Sequence, residues 1–114
     1  MTINELITST QVRRRFGDPV EPYRFDDTVL LAYWNAGRRN LVGRHPEAAY
    51  VDGIVVTDEI ADADNLDEDV KITPVWYNAM MNWLAASVLM EDMENPGNAQ
   101  TGATFMQLYE AEVG

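Results

Sequence analysis

The sequence predicts a mostly α fold: a four-helix domain with a short β-hairpin or extended excursion between the second and third helices. Three observations carry this reading. Apolar residues recur at spacings of three and four in several windows, the mark of helix faces that bury against a core. Capping residues stand at the starts of those windows. Near residue 54 the period changes to a short β-branched run, "GIVV", behind the turn pair Asp52-Gly53. At 114 residues the chain fits one domain, 1–114, with a single core.

The first helix is expected over about 3–16. Thr2-Ile3-Asn4-Glu5 fits a capping box, in which the Thr2 hydroxyl and the Glu5 carboxylate each accept an N–H of the other residue. Ile3, Leu6, Ile7 and Phe16 supply apolar positions, and Arg13, Arg14 and Arg15 suit the negative end of the helix dipole. Gly17 and Pro19 end it. "DPVEPYRF" is too rich in proline for a helix or a central strand.

The second helix is expected over about 27–43, with Asp26 as its N-cap. Its stripe runs through Val29, Leu30, Tyr33, Trp34, Gly37 and Leu41. His45-Pro46 prevents its continuation. The excursion, about 51–72, holds two short extended pieces, "GIVV" and "VKI", around an acidic tip. A ribbon of two strands alone is marginal and needs support from helices or from a neighbouring subunit. Thr73-Pro74 signals the third helix, about 74–92, with Thr as cap and Pro at the first helical position. "NPGN" breaks it, and Asn98 caps a last helix over about 99–112.

Charge is unevenly spread. Residues 1–50 carry a net charge of +1 and residues 51–114 a net charge of −12, for −11 overall. All seven arginines lie between Arg13 and Arg44. Seven of the fifteen residues in "VTDEIADADNLDEDV" are acidic: Asp58, Glu59, Asp62, Asp64, Asp67, Glu68 and Asp69. Such asymmetry speaks of association rather than of fold.

Several chemistries find no support. There is no cysteine for disulfides or thiolate metal sites. An EF-hand register beginning at Asp62 fails, with Leu66 at position 5, Asp67 at 6 and Thr73 at 12. A carboxylate run on an exposed loop lacks the apolar pocket that separates the pKa values of a catalytic pair. His45 is the only histidine, and neither Ser9 nor Ser87 lies in a Gly-x-Ser-x-Gly context. No phosphate-cradling glycine loop is present. Consecutive arginines on a helix diverge by about 100° and make no single strip for nucleic acid. No catalytic residue, cofactor or metal site is therefore expected, and the chain reads as non-enzymatic. "MTINELITST" has neither the basic nor the apolar region of a secretory signal, so synthesis in the cytoplasm is expected. Six methionines and eleven aromatics are generous for one small domain, and part of them is expected at an interface.

The order of parts resembles that of the small helical head–tail adaptor (connector, head-completion) proteins of tailed bacteriophages. The residues that carry the likeness are "VRRRFGD", Asn35-Ala36-Gly37-Arg38-Arg39 running into Arg44-His45-Pro46-Glu47-Ala48, "DGIVVT", and then Trp76, Asp92, Phe105 and Tyr109. It covers nearly the whole chain. The chain departs from that pattern in "NLDEDVKI", which lacks the family's second glycine and proline.

The resemblance implies a structural virion protein made in the bacterial host cytoplasm. It would form a ring, commonly twelve-fold, below the portal at the head–tail junction, where it extends the DNA channel and docks a tail or head-closure protein. DNA only passes through, and no membrane is involved. The acidic excursion would line the channel or meet a neighbouring subunit through Arg13, Arg14, Arg38 and Arg39. Phe105, Met106, Tyr109 and Val113 would face the portal. The rival reading is an acidic DNA mimic that inhibits a DNA-binding enzyme; it requires an evenly negative face, which the clustering of charge does not favour.

Overall fold

The computed structural model describes residues 1–56, 61–92, 95 and 97–114. It is mostly helical, with a small two-stranded hairpin between the second long helix and the third. In chain order the elements are α1 (Ile3–Thr10), α2 (Val12–Arg15), α3 (Asp27–Arg44), β1 (Tyr50–Val51), β2 (Ile54–Val55), α4 (Tyr77–Met90) and α5 (Asn98–Val113). Short 3-10 turns at Pro46–Ala48 and Pro74–Trp76 follow α3 and precede α4.

The first helix is not continuous over 3–16. The capping box forms as expected, Thr2 and Glu5 each donating a backbone N–H to the other's side chain at 3.0 Å. The chain then breaks at Gln11, whose φ of 53° lies in the left-handed region. Ser9 and Thr10 turn their hydroxyls back onto the Leu6 carbonyl, which weakens the helix from within. The break also resets the phase. Nine residues separate Ile7 from Phe16, roughly two and a half helical turns, so an unbroken helix would point them in opposite directions. With the break, Ile3, Leu6, Ile7, Val12 and Phe16 all enter one core.

Helix α3 matches expectation closely. Asp26 caps it, accepting from the Val29 N–H at 3.1 Å. Leu30, Trp34 and Leu41 are fully buried. Gly37 lies where α3 meets α4: a Cβ there would stand 2.5 Å from Cδ1 of Trp83. Helix α4 is buried around most of its girth, through Ala79 to Asn82, Leu84 to Ala86, Val88 and Leu89. Helix α5 lies along it, brought close by Gly102, where a Cβ would meet the Met90 backbone N at 2.9 Å. Thr73 does not cap with its side chain; its hydroxyl instead donates to the Glu47 and Ala48 carbonyls. Asn98 is the first residue of α5 rather than its cap, and its amide donates to Asp92.

The excursion differs from expectation in one important respect. The two strands do not embrace the acidic run. The hairpin closes within 50–55 through Asp52 and Gly53, with φ of 51° and 83°, the pair of positive values a type I′ turn requires. The "VKI" piece returns beside the other strand: Ile72 bridges Ala49, and the Tyr50 N–H donates to the Lys71 carbonyl at 3.1 Å. Residues 61–70 of the acidic run fold against the body of the domain.

Candidate interaction surface

The acidic segment is held from two sides. On one side, the free N–H groups at the start of α1 donate to it: Ile3 to the Glu68 carbonyl at 3.0 Å and Asn4 to the Leu66 carbonyl at 2.8 Å. Leu66 and Val70 insert into the core beneath. The Asp69 carboxylate pairs with the Met1 ammonium at 3.2 Å. Glu68 accepts the N–H groups of Asp64 and Asn65, closing a local turn.

On the other side stands the "NAGRR" stretch of α3. Asn35 behaves as a short strand would, donating to the Ala63 carbonyl at 3.0 Å and accepting its N–H at 2.9 Å. Arg38, 4% exposed, donates to the Ala61 carbonyl at 2.8 Å and faces Asp62 at 3.5 Å. Burial lowers the Arg38 pKa from its ordinary value, while the Asp62 carboxylate works in the opposite direction. Arg39 also pairs with Asp62. Within this motif Asn35, Arg38 and Arg39 bind the acidic segment, and Gly37, set against Trp83, admits α4.

The remaining arginines are nearly all engaged as well. Arg13 is buried; it donates to Asp18 at 3.1 Å and to the Phe25 carbonyl at 2.8 Å, and its guanidinium lies 3.7 Å from the centre of the Tyr23 ring. Asp18 in turn accepts the Arg24 and Phe25 N–H groups, which folds the proline-rich loop. Arg24 reaches Asp92 with two N–H groups, at 2.9 and 2.5 Å, and Asp92 also accepts from Asn95 and Asn98. Arg15 binds the carbonyl oxygens of Asn78 and Asn82, whose amides both donate to Glu112. Arg44 and Glu110 form a two-pronged pair that lowers the Glu110 pKa and raises that of Arg44. Among the described residues, Arg14 is the one arginine whose side chain makes neither a hydrogen bond nor an ion pair, and it is exposed.

The expected site residues therefore separate into groups. Arg13 and Arg38 are buried within the subunit and are not offered at its surface. Arg39 and Asp62 neutralise each other. Asp64 and Asp67 are exposed, and their carboxylates have no partner among the described residues. Asp58 and Glu59 lie outside the described residues.

The expected portal face needs correction. Tyr109 is fully buried, with its ring 5.0 Å from that of Trp83 and its hydroxyl donating to Asn40 at 2.8 Å, and Val113 is 2% exposed. Both belong to the core because α5 needs an apolar stripe to lie on α4. Phe105 and Met106 are half-buried, and Leu108, which is not among the residues expected at the portal, is 48% exposed.

His45 is engaged through both ring nitrogens, to the Val113 carbonyl at 2.5 Å and to Glu47 at 3.1 Å, and its ring lies against Trp76. Among the described residues, no buried side-chain nitrogen or oxygen lacks a partner, and no group of three or more His, Asp or Glu could hold a metal ion. No helix among the described residues is long and apolar enough to cross a membrane. No protein-family model, no curated protein and no solved structure matches the chain.

Proposed function

We propose that this chain is a structural, non-enzymatic subunit of a ring that sits below the portal at a phage head–tail junction and extends the DNA channel. The observation that carries the reading is how the arginines are used. Six of the seven have acceptors inside their own subunit, which leaves the carboxylates of Asp64 and Asp67 uncompensated on the outside. The idea that a neighbour's arginines neutralise the acidic segment keeps only Arg14, one cation against the whole segment. The other role, lining a channel, gains support.

A duplex moving through a narrow ring would be held by a basic wall, because each phosphate contact releases counterions and is favourable. An acidic wall has no such attraction. The resemblance adds weight in a specific way: Asn35, Gly37, Arg38, Arg39 and Asp92, among the residues on which it rests, are those that fix the acidic segment and the α4–α5 junction.

The test is negative-stain electron microscopy of the purified chain, alone and mixed with a phage portal protein. A collar of this chain on the portal is the expected result. A chain that leaves the portal bare and instead inhibits a DNA-binding enzyme would replace this reading with the DNA-mimic one.

A further inference from the structure

The ring reading leaves open which surfaces join neighbouring copies, and the inference here rests on that reading. Two features are left exposed by the described residues. One is the hairpin. Its turn carries Asp52, whose carboxylate has no partner among the described residues, and the strand after it presents Ile54 and Val55, 66% and 48% exposed. That is an unusual pair of aliphatic residues to leave in water on an uncovered strand edge.

The other is a cavity of about 460 Å³ beside α1 and the proline-rich loop, lined by Ile7, Gln11, Arg14, Pro19, Tyr23 and Asp27 among others. Its cation is Arg14, the one arginine without a partner among the described residues. Arg13, also in its wall, is already neutralised by Asp18. The hairpin turn instead borders a separate hollow, shared with Met1, Asp69 and Tyr77, and the two hollows have no lining residue in common.

We propose that the hairpin tip of one copy docks into this cavity on the next copy, with Asp52 meeting Arg14 and Ile54 covering the exposed apolar part of the wall formed by Pro19 and Tyr23. The occupant is a second copy because the complementary charge is on this chain: an unpartnered acid at an aliphatic tip and an unpartnered arginine in a partly apolar hollow. Since the two surfaces differ, the contact is heterologous and propagates from copy to copy until rotation closes it into a ring. Two carboxylates also line the cavity: Asp27, which pairs with Arg13 at 3.5 Å, and Glu21, which opposes the contact, so Glu21→Gln strengthens it.

The test uses charge reversal and mixing, read by sedimentation velocity over a wide concentration range. Wild-type protein is expected to associate beyond the dimer. Arg14→Asp and Asp52→Arg, each alone, place like charges at every contact and weaken association about tenfold or more. An equimolar mixture of the two restores it, because in an alternating ring every second contact joins the hairpin of the Asp52→Arg variant to the cavity of the Arg14→Asp variant, again with opposite charges, and the intervening contacts keep the native pair. Circular dichroism of each variant confirms that the fold is intact, and rescue in the mixture cannot arise from misfolded chains.

The inference is overturned by a wild type that stays monomeric at every concentration, by a closed dimer, by single variants that associate as wild type does, or by a mixture that fails to recover. Its failure is separable from that of the ring reading. A collar on the portal together with failed mixing removes only the hairpin contact, whereas successful mixing without a collar leaves the contact and removes the head–tail assignment.

Discussion

Replacing Gly37 with alanine tests how α3 and α4 meet. The added Cβ would lie 2.5, 2.8 and 2.9 Å from Cδ1, Nε1 and Cγ of Trp83, well inside van der Waals contact. The indole is rigid and has little room to yield. Its Nε1–H donates to the Tyr33 carbonyl at 3.0 Å, and its ring rests edge-on against Tyr109. Overpacking of this kind costs about 1–3 kcal/mol. Loss of the indole hydrogen bond adds roughly 1 kcal/mol if the ring swings away. The better helix propensity of alanine returns about 1 kcal/mol.

The net expectation for Gly37→Ala is a destabilisation of about 1–3 kcal/mol, and at roughly 4 °C per kcal/mol for a domain of this size the midpoint falls by about 4–12 °C. The control is Gly43→Ala in the same helix, where nothing lies within 4 Å of the new Cβ. It keeps the propensity gain and carries no clash, so it is neutral or stabilising by up to about 1 kcal/mol. Thermal unfolding followed by circular dichroism and tryptophan fluorescence reads both. If Gly37→Ala is as stable as wild type, the α3–α4 packing described here is wrong.

Four more outcomes are expected. Gly102→Ala destabilises the domain by about 1–3 kcal/mol, because its Cβ meets the Met90 backbone and the Ala86 carbonyl, neither of which can rotate away; denaturant unfolding measures it. Asn35→Ala breaks both bonds to Ala63 and costs about 1–3 kcal/mol, and the amide of Ala63 exchanges with solvent much faster than in wild type. Tyr33 and Tyr109 have pKa values raised from 10.0 to about 12, first by burial and, for Tyr33, also by the Glu91 carboxylate to which it donates. Their contribution is complete below pH 10 and is lost as the pH rises toward 12, so alkaline unfolding falls in that window and Tyr33→Phe makes it shallower. On the proposed ring role, Asp64→Lys with Asp67→Lys leaves the fold intact but slows DNA ejection from assembled particles; normal ejection would show that this charge is incidental.

Local signals are the most legible part of the sequence. The Thr2–Glu5 box, the Asp26 cap and the Asp52-Gly53 turn each depend on atoms within a few residues, and all three form as expected. The break at Gln11 departs from the single helix expected there, although its cause is in the sequence. Three hydroxyl residues, Thr8 to Thr10, compete for helix carbonyls, and the spacing from Ile7 to Phe16 is out of phase for one helix. The tie between Asn35 and Ala63 spans 28 residues, and nothing local announces that an asparagine will take the place of a strand. The exposed Asp64 and the core Tyr109 show the same limit: an acid's exposure or an aromatic's burial is set by which helix lies across it, and the helical stripe alone does not distinguish a face that meets its own domain from one that meets a partner. The partitioning of arginines is equally hidden, since Arg13, Arg38 and Arg44 look alike in sequence and differ only in what long-range folding brings to them.

A reconstruction by electron microscopy of the chain assembled on its portal would measure the central claim most directly, because it shows which residues face the axis. The account predicts a closed ring with Asp64 and Asp67 turned toward the channel and six of the seven arginines, all but Arg14, bound within their own subunits. A ring whose channel is walled by free arginines, or a complex in which the acidic segment is buried against another protein, would contradict it.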